Sequence, residues 1–442
     1  MARKASCAPD AAATGRLRRH AVLALWAAGV ALAGCTQPGS GVEATAPAAS
    51  PPRLASAPKP PPVALPLDAA AVSLATALFD RAGLDRPDPA VHRTLVIDPL
   101  IDHETGSELV ATRSMEKRIS ALVRSRYPHI KLRPFTSASL DERPLVLAGS
   151  ITTVAGPGMI PTSIGGPPGT HRIWAVLADL KSGRIVSREM AWVRSDTVDA
   201  TPTPFFRDSP AWLADASMIA YLKTCSSQVG DLIAPAYLDG LRTEAAVSDG
   251  VRAYDAGRYR DALMAYTQAR SLPMGAQLRV YNGVYLAEQA LGRPREARQA
   301  FGQLVDYGLD RGKLSMKLVF RPNSTAFWPD RAITGPYPMW LREIATRTAA
   351  RDACLRIVGH TSLTGSAQAN QLLSEARAWV VRGRLVRDAP PLNTRTTVRG
   401  AGSSEPVVGA GTDDAADLLD RRVEFNPVAC REAVRADAAS LQ

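Results

Sequence analysis

The spacing of apolar side chains along the chain alternates between helical and extended patterns. In residues 67–241, a helical pattern over Ala69–Ala82 precedes the apolar run Thr94–Leu100, which is typical of a buried strand. Two further extended runs flank Lys181–Arg184, whose turn-forming residues indicate a hairpin. A helical pattern near Trp212–Ile233 closes the stretch. Together these patterns predict an N-terminal α+β domain over residues 67–241.

The next stretch, residues 243–309, is helical and repeats itself. Several positions recur 35 residues later with similar side chains, namely Gly257 as Gly292, Ala262 as Ala297 and Tyr266 as Phe301. A period near ~34 residues, with small residues where helices touch and aromatic rings between them, resembles a pair of tetratricopeptide (TPR) repeats. Two copies are few for an independent solenoid, so we expect them to pack on a neighbouring part of the chain. Such repeats serve as a protein-binding groove or as a helical spacer, and both interpretations stay open.

Residues 315–430 alternate extended and helical patterns, which predicts a C-terminal α/β domain followed by a tail at 431–442. Strands are expected at Met316–Phe320 and Leu355–His360, and helical spacing begins near Leu373. The chain is therefore predicted to be a multidomain α/β protein with short all-α repeats in its middle.

The first 35 residues combine a basic start with a short apolar stretch. Ala21–Ala33 is about 13 residues long, and a membrane-spanning helix needs ~20. The sequence Leu-Ala-Gly then leads directly to Cys35. These features predict an export signal, and the last four residues resemble the lipobox of bacterial lipoproteins. That resemblance implies a signal peptide at residues 1–34 and acylation of Cys35, whereas the alternative is an ordinary signal peptide with a chance cysteine.

Residues 35–66 are predicted to be the lipidated cysteine and a linker. Nine prolines occur in Thr36–Pro66 with few large apolar side chains, so this segment cannot bury enough surface to order itself. A proline-rich chain extends by ~3.1 Å per residue, which gives a reach of ~95 Å. Thr36 rather than Asp follows the cysteine, and the sorting rule of lipoproteins then implies the outer membrane.

The formal net charge of +11 does not indicate a nucleic-acid partner, because the basic residues are scattered and lack interleaved aromatic side chains. Asp98, Asp102, His103 and Glu104 have the composition of a metal or acid/base site, although such clusters more often cap a turn between a strand and a helix. The cysteine spacing suits no zinc site. We expect neither a metal nor a cofactor.

Motifs within residues 315–430 resemble the C-terminal OmpA-like peptidoglycan-binding domain. They are, in order, IVGHTSLTGSAQANQLLSEARAWVV, VRGAGSSEPV and DRRVEF. The resemblance implies an α/β sandwich that binds the diaminopimelate side chain of the wall peptide without bond chemistry. In that family, an Asp in the turn after the GHT strand and an Arg on the next helix hold the ammonium and carboxylate groups. Arg suits this role because its planar fork pairs with a carboxylate through two hydrogen bonds.

The resemblance assigns roles to individual residues. Arg377 matches the family's Arg in LSEARA, and its alternative role is a stabilising salt bridge. Asn370 matches the helix Asn and is expected to fix the turn, while Arg422 matches the second Arg of the terminal pair and would support the pocket. Ser362 stands where the family has Asp and supplies no charge. Asp420 replaces the usual Asn and would either restore negative charge to the pocket or form a local salt bridge.

Cys225, Cys354 and Cys430 lie beyond the linker, and an oxidising compartment permits a disulfide. If Cys354 begins the central strand and Cys430 follows the last one, antiparallel pairing would bring these two together. Cys225 would then be a buried thiol on a helix. The alternative is that all three are buried thiols, and both interpretations stay open.

The motifs LVIDPLIDHETG and MEKRISALVRSRYP of the first domain resemble envelope lipoproteins of the FlgO, CsgG and LpoB type. The order of parts predicts a non-enzymatic lipoprotein of the outer membrane that faces the periplasm. It would bind outer-membrane lipid and peptidoglycan as a tether or scaffold, with an envelope protein as a further partner through the repeats. The alternative is a regulatory or assembly lipoprotein that activates a cell-wall synthase or a surface appendage. No nucleophile elbow or paired-carboxylate motif favours an enzyme.

Overall fold

The computed structural model describes residues 63–86, 93–154, 167, 169–351, 354–409, 411 and 416–430. The predicted signal peptide, Cys35, most of the linker and the tail at 431–442 lie outside the described residues. All the described residues belong to one compact unit. Within it, helices alternate with mixed sheets, which confirms the predicted α/β class.

The first part of the chain forms a mixed sheet with helices on both faces. Its elements are α1 (Leu67–Arg81), β1 (Arg93–Ile97), β2 (Ile101–Asp102), α2 (Val110–Arg126), β3 (Ile130–Arg133), α3 (Ser137–Asp141), β4 (Leu145–Thr153), β5 (Thr170–Asp179) and β6 (Arg184–Arg194). The strand order is β3-β1-β4-β5-β6, parallel between β1 and its neighbours and antiparallel from β4 to β6. Gly183 adopts a φ of +70° in the turn between β5 and β6, where the hairpin was predicted.

Both faces of this sheet are buried, because successive strand side chains point to opposite sides. On β5, Ile173, Ala175 and Leu177 pack toward α1 and α2. Trp174 and Val176 point to the other face, where later helices cover them. A strand that is buried on both faces has a continuous apolar run, which is the pattern that the sequence carries here.

The middle of the chain is mostly helical. Its elements are α4 (Pro204–Asp208), β7 (Ala211–Trp212), α5 (Ala216–Ser226), α6 (Pro235–Asp255), α7 (Tyr259–Ser271), α8 (Leu278–Ala290) and α9 (Pro294–Asp310). Gly257 and Gly292 occupy equivalent turns between α6 and α7 and between α8 and α9, with φ of +71° and +70°. The self-match of the sequence therefore corresponds to two helical hairpins, and their assignment as tetratricopeptide repeats stays a prediction.

The predicted boundary between residues 241 and 243 falls inside one continuous helix, α6. Tyr237 and Leu241 at its start pack under the first sheet, whereas Val247 and Val251 further along belong to the core of the hairpins. One helix serves both cores because its buried positions change neighbours along its length. The first segment and the hairpins are thus joined by secondary structure and not by a linker.

The last part of the chain forms a second mixed sheet. Its elements are β8 (Leu314–Lys317), α10 (Arg331–Thr334), α11 (Tyr337–Ala350), β9 (Cys354–His360), α12 (Ala367–Asp388), β10 (Thr396–Gly402) and β11 (Arg422–Val428). The strand order is β10-β9-β11-β8-β7, so the short strand β7 of the upstream segment extends this sheet. β8 is shorter than the predicted strand, because Phe320 already pairs with Phe327 in the following loop.

The hairpins and the last part share one hydrophobic core. Phe301 of α9 stacks on Trp340 of α11, with ring centroids 5.6 Å apart. The indole Nε1 of Trp340 donates a hydrogen bond to the Tyr285 hydroxyl of α8 at 2.8 Å. The same core continues through Leu355 and Phe425 in the second sheet. This packing agrees with the expectation that two repeats need a neighbour.

Cys354 and Cys430 are joined by a disulfide, with their Cα atoms 5.1 Å apart. Antiparallel pairing of β9 with β11 places Cys354 opposite Val428, next to the end of the last strand. Cys225 on α5 is a buried free thiol. No helix in the described ranges combines the length and apolar character needed to cross a membrane.

Candidate functional site

The turn between β9 and α12 carries the motif residues. Ser366 caps the first turn of α12 by accepting a hydrogen bond from the Ala369 amide at 3.2 Å. The Asn370 side-chain amide donates to the carbonyl oxygens of Ser362 at 3.4 Å and Thr364 at 3.0 Å. Asn370 therefore holds the backbone of the turn against the start of the helix.

Two glycines allow α12 to lie very close to the second sheet. Gly359 on β9 and Gly400 on β10 are paired in register. A Cβ atom at Gly359 would lie 2.0 Å from the Ser374 carbonyl oxygen, and one at Gly400 would lie 2.6 Å from the Gln371 carbonyl oxygen. Because backbone cannot yield as a flexible side chain does, any side chain at these positions would push α12 away. The helix position, and with it the position of Arg377, depends on these glycines.

Arg377 joins α12 to the loop after β8. Its Nε donates to the Ser324 carbonyl oxygen at 3.0 Å, and its Nη2 donates to the Arg321 carbonyl oxygen at 3.1 Å. The guanidinium also lies over the Phe320 ring, 4.8 Å from its centroid, in a cation–π contact. Arg377 is buried and shapes the loop as well as carrying positive charge to the site.

The motif residues border a large cleft of about 1030 Å³. Ser362, Asn370 and Arg377 all line it, so the structure brings these predicted residues together. Further wall residues come from the hairpins and from the segment before β7, including Tyr254, Tyr285, Gln289, Arg207 and Asp208. The sequence did not predict this upstream wall, because no motif links these residues to the distant turn at Ser362.

Arg422 does not line the cleft but lies inside the second sheet. Its Nε is 2.8 Å from Glu424 Oε1, and Lys313 Nζ reaches the same carboxylate at 2.9 Å. Burial alone would raise the pKa of Glu424, but His360, Arg422 and Lys313 together hold it well below its usual range. Arg422 thus neutralises a buried carboxylate beside His360, whose strand leads directly into the turn at Ser362.

Asp420 adopts neither of the roles that the sequence predicted for it. Its buried carboxylate accepts backbone hydrogen bonds from Val407 at 2.6 Å, Val408 at 2.9 Å and Gly409 at 2.8 Å. It therefore organises the loop after β10 and adds no charge to the cleft. Of the described residues that line the cleft, Asp208 alone carries a carboxylate.

Strand pairing and Lys317 position the upstream wall. The Lys317 amide donates to the Pro210 carbonyl oxygen at 2.9 Å. Its Nζ donates to the carbonyl oxygens of Phe206 and Arg207, both at 2.9 Å, at the end of α4. Burial lowers the pKa of Lys317 to about 7, against the opposing effect of Asp208. The tyrosine hydroxyl of Tyr254 donates to Asp208 Oδ2 at 3.1 Å.

The acidic cluster of the first segment is divided among separate local roles. Asp102 Oδ1 accepts hydrogen bonds from the Thr105 amide and hydroxyl, so it caps the turn. Asp98 instead accepts a hydrogen bond from Tyr237 at 2.6 Å, and burial raises its pKa to about 8. Within the described part of the chain, no three His, Cys, Asp or Glu residues are grouped as metal ligands.

Comparisons with known proteins identify the last part of the chain. Residues 320–418 match the OmpA family, which confirms an OmpA-like domain there. No curated protein matches the chain. Among solved structures, the chain is similar to the periplasmic domain of Helicobacter pylori MotB, with 19% identity over 29% of this chain and 83% of that chain and a TM-score of 0.22.

Two further solved structures are similar over the same small share of the chain. The peptidoglycan-associated lipoprotein from Burkholderia pseudomallei is 22% identical over 26% of this chain and 89% of that chain, with a TM-score of 0.21. The cell wall anchor of the T6SS from Pseudomonas aeruginosa is 22% identical over 26% of this chain and 80% of that chain, with a TM-score of 0.22. Because the TM-scores and identities are low, these similarities add no argument to the family match.

Proposed function

From the OmpA-like domain at residues 320–418, we propose that the chain is an outer-membrane lipoprotein that binds peptidoglycan non-covalently and acts as an envelope tether or scaffold. The observation that carries the proposal is the convergence of Ser362, Asn370 and Arg377 on one cleft of a domain of this family. Binding of this kind holds a ligand and requires no bond chemistry.

Arg377 is proposed to bind a carboxylate of the wall peptide. Its guanidinium is buried, so its interaction with an anion is less screened by water than that of an exposed Arg. Ser362 would accept a hydrogen bond from the ligand through Oγ, which lies 3.2 Å from Thr364 Oγ1. An Asp at this position would add an attraction between opposite charges to the hydrogen bond with an ammonium group, and a neutral hydroxyl cannot supply it. Ser362 therefore binds an ammonium group more weakly than an Asp at the same position would.

The opposite end of the proposed tether is the lipidated Cys35. Several acyl chains give a durable membrane anchor, whereas one gives only marginal affinity. The linker of residues 35–66 would give the folded unit a reach of ~95 Å from the lipid surface. The chain would bind lipid at Cys35 and peptidoglycan at the OmpA-like domain. It would thus link the outer membrane to the wall, with its folded unit facing the periplasm.

A regulatory or assembly lipoprotein is the second candidate. In its favour, the described part of residues 67–241 contributes only Arg207–Pro210 to the cleft, which leaves a whole sheet and its helices for another role. The OmpA-like domain would then localise the chain, and the first segment or the hairpins would contact an envelope protein.

Sedimentation with purified peptidoglycan sacculi tests the proposal, with residues 36–442 used as soluble protein. We expect wild type to pellet, Arg377→Ala to lose about tenfold or more in affinity, and Ser362→Asp to pellet more strongly, because it restores a charge for the ligand's ammonium group. Arg387→Ala is the matched control, since this exposed Arg lies at the far end of the same helix.

The Ser362→Asp variant separates binding from folding, because a variant that was merely destabilised would not bind sacculi more tightly than wild type. Arg377→Ala also removes contacts to Arg321 and Ser324, so its melting temperature is measured in parallel. Equal pelleting of wild type, Arg377→Ala and Arg387→Ala would refute the role of Arg377. Absence of wild-type pelleting would refute wall binding itself.

A further inference from the structure

The cleft is larger than one amino-acid side chain requires. Pockets that enclose a whole small-molecule ligand usually measure about 300–1,000 Å³, and this cleft measures about 1030 Å³. Its wall extends from the turn at Ser362 to Tyr285 and Gln289 on α8 and to Arg207 and Asp208 on α4. The OmpA-like domain thus supplies one part of a site that other segments complete.

The upstream part of the wall is held in place by strand pairing and by one side-chain hydrogen bond. β7 pairs with β8, with Ala211 opposite Met316 and Trp212 opposite Ser315. The Asn282 side-chain amide of α8 donates to the Ala211 carbonyl oxygen at 2.9 Å. Because α4 directly precedes β7, these bonds fix Arg207 and Asp208 relative to the OmpA-like domain. The composite wall is therefore part of the folded unit and does not depend on a loose contact between domains.

The chemistry of the cleft favours an acidic ligand that also presents rings. Three Arg side chains and one carboxylate line it among the described residues, namely Arg207, Arg377, Arg421 and Asp208, and Arg207 Nε lies 3.0 Å from Asp208 Oδ1. Aromatic side chains also line it, and Trp328 is 37% exposed there. Cationic donors bind carboxylates, and an exposed indole offers a large apolar face with a polar edge, which suits the face of a sugar ring.

We propose that the composite cleft binds an acidic glycopeptide, the disaccharide–peptide unit of the wall, with peptide carboxylates at Arg377 and Arg207 and a sugar ring against Trp328. This inference rests on the proposed function and deepens it, because it extends the ligand beyond the peptide side chain. It also assigns a binding role to α4, which lies outside the OmpA-like domain.

Titration with two soluble ligands tests the inference on residues 36–442. One ligand is the wall's stem peptide, and the other is the same peptide attached to its disaccharide. Calorimetry measures the affinity, and quenching of tryptophan fluorescence reports occupation of the cleft. We expect the disaccharide–peptide to bind about tenfold or more tightly than the peptide. Trp328→Ser should remove most of that difference and leave peptide affinity within about twofold.

Arg207→Ser tests the upstream wall and should weaken binding of the disaccharide–peptide by about fivefold. Arg260→Ser removes the same charge from an exposed position on α7 outside the cleft, and it should change nothing. Equal affinity of wild type for both ligands, or identical behaviour of Arg207→Ser and Arg260→Ser, would overturn the composite site while leaving wall binding intact. Failure of wild type to bind either ligand would overturn both proposals.

Discussion

Single side chains in this molecule take roles that depend on neighbours far away in the chain. Arg377 could be predicted as a site residue because its motif is local. Its contact with the Ser324 carbonyl oxygen, 53 positions away, could not be predicted because no periodicity encodes it. The contacts of Asp420 and Asp98 could not be predicted either. The sequence shows that a carboxylate is present, but it does not show which amides or hydroxyls surround it.

Asp98 makes stability depend on pH in a defined direction. Burial raises its pKa from 3.8 to about 8, so the folded state keeps a proton that the unfolded state releases. Stability should therefore fall as the pH rises from about 4 to about 8, by at most ~1.4 kcal/mol per pH unit from this group. Burial also raises the pKa of Glu108 to about 7, so this group too should reduce stability as the pH rises.

Urea unfolding at pH 5, 6, 7 and 8 measures this slope. Asp98→Asn keeps an acceptor for the Tyr237 hydroxyl but cannot ionise, so the slope should become shallower in this variant. Equal slopes for wild type and Asp98→Asn would mean that the carboxyl group does not hold its proton in the folded state.

At the scale of elements, the helical hairpins follow from small residues and one aromatic ring. Tyr266 of α7 lies between Gly250 of α6 and Gly283 of α8, and a Cβ atom at these glycines would lie 2.7 Å and 2.5 Å from its ring. The repeat of the sequence predicted the hairpins and their turns. The sequence could not show that α6 continues from the first segment, because buried positions along one helix do not reveal which core covers them.

Two glycine substitutions should have opposite effects on stability. Gly283→Ala should destabilise the chain by about 1–3 kcal/mol, because the added methyl group meets the Tyr266 ring in a filled core. Gly240→Ala on α6 meets nothing within 4 Å and should stabilise the chain by about 0.5–1 kcal/mol, since Ala favours a helix over Gly. Urea unfolding of both variants gives the free energies. Equal effects would show that α7 and α8 do not pack around Tyr266 in this way.

At the scale of the whole molecule, the hairpins and the OmpA-like domain should unfold together. Phe301→Ala removes the ring that stacks on Trp340 and should cost about 3–5 kcal/mol. Because the core is continuous, hydrogen exchange should accelerate in β9 as well as in α9. Leu372→Ala, at a side chain that is 64% exposed, is the control and should leave both unchanged. Acceleration confined to residues 235–310 would mean that the hairpins fold as a separate unit.

The sequence by itself determined the α/β class, the helical hairpins and the OmpA-like domain, and it predicted an anchor at Cys35. These features are local, since they depend on periodicity, turn glycines and motifs within a short stretch of chain. Only the tertiary structure decided that β7 joins the second sheet and that α4 borders the cleft. It also decided that Lys313 and His360, from other segments, meet Glu424. Such pairings arise when distant segments exclude water from a shared surface, and apolar burial is not directional, so sequence spacing alone does not specify the partner.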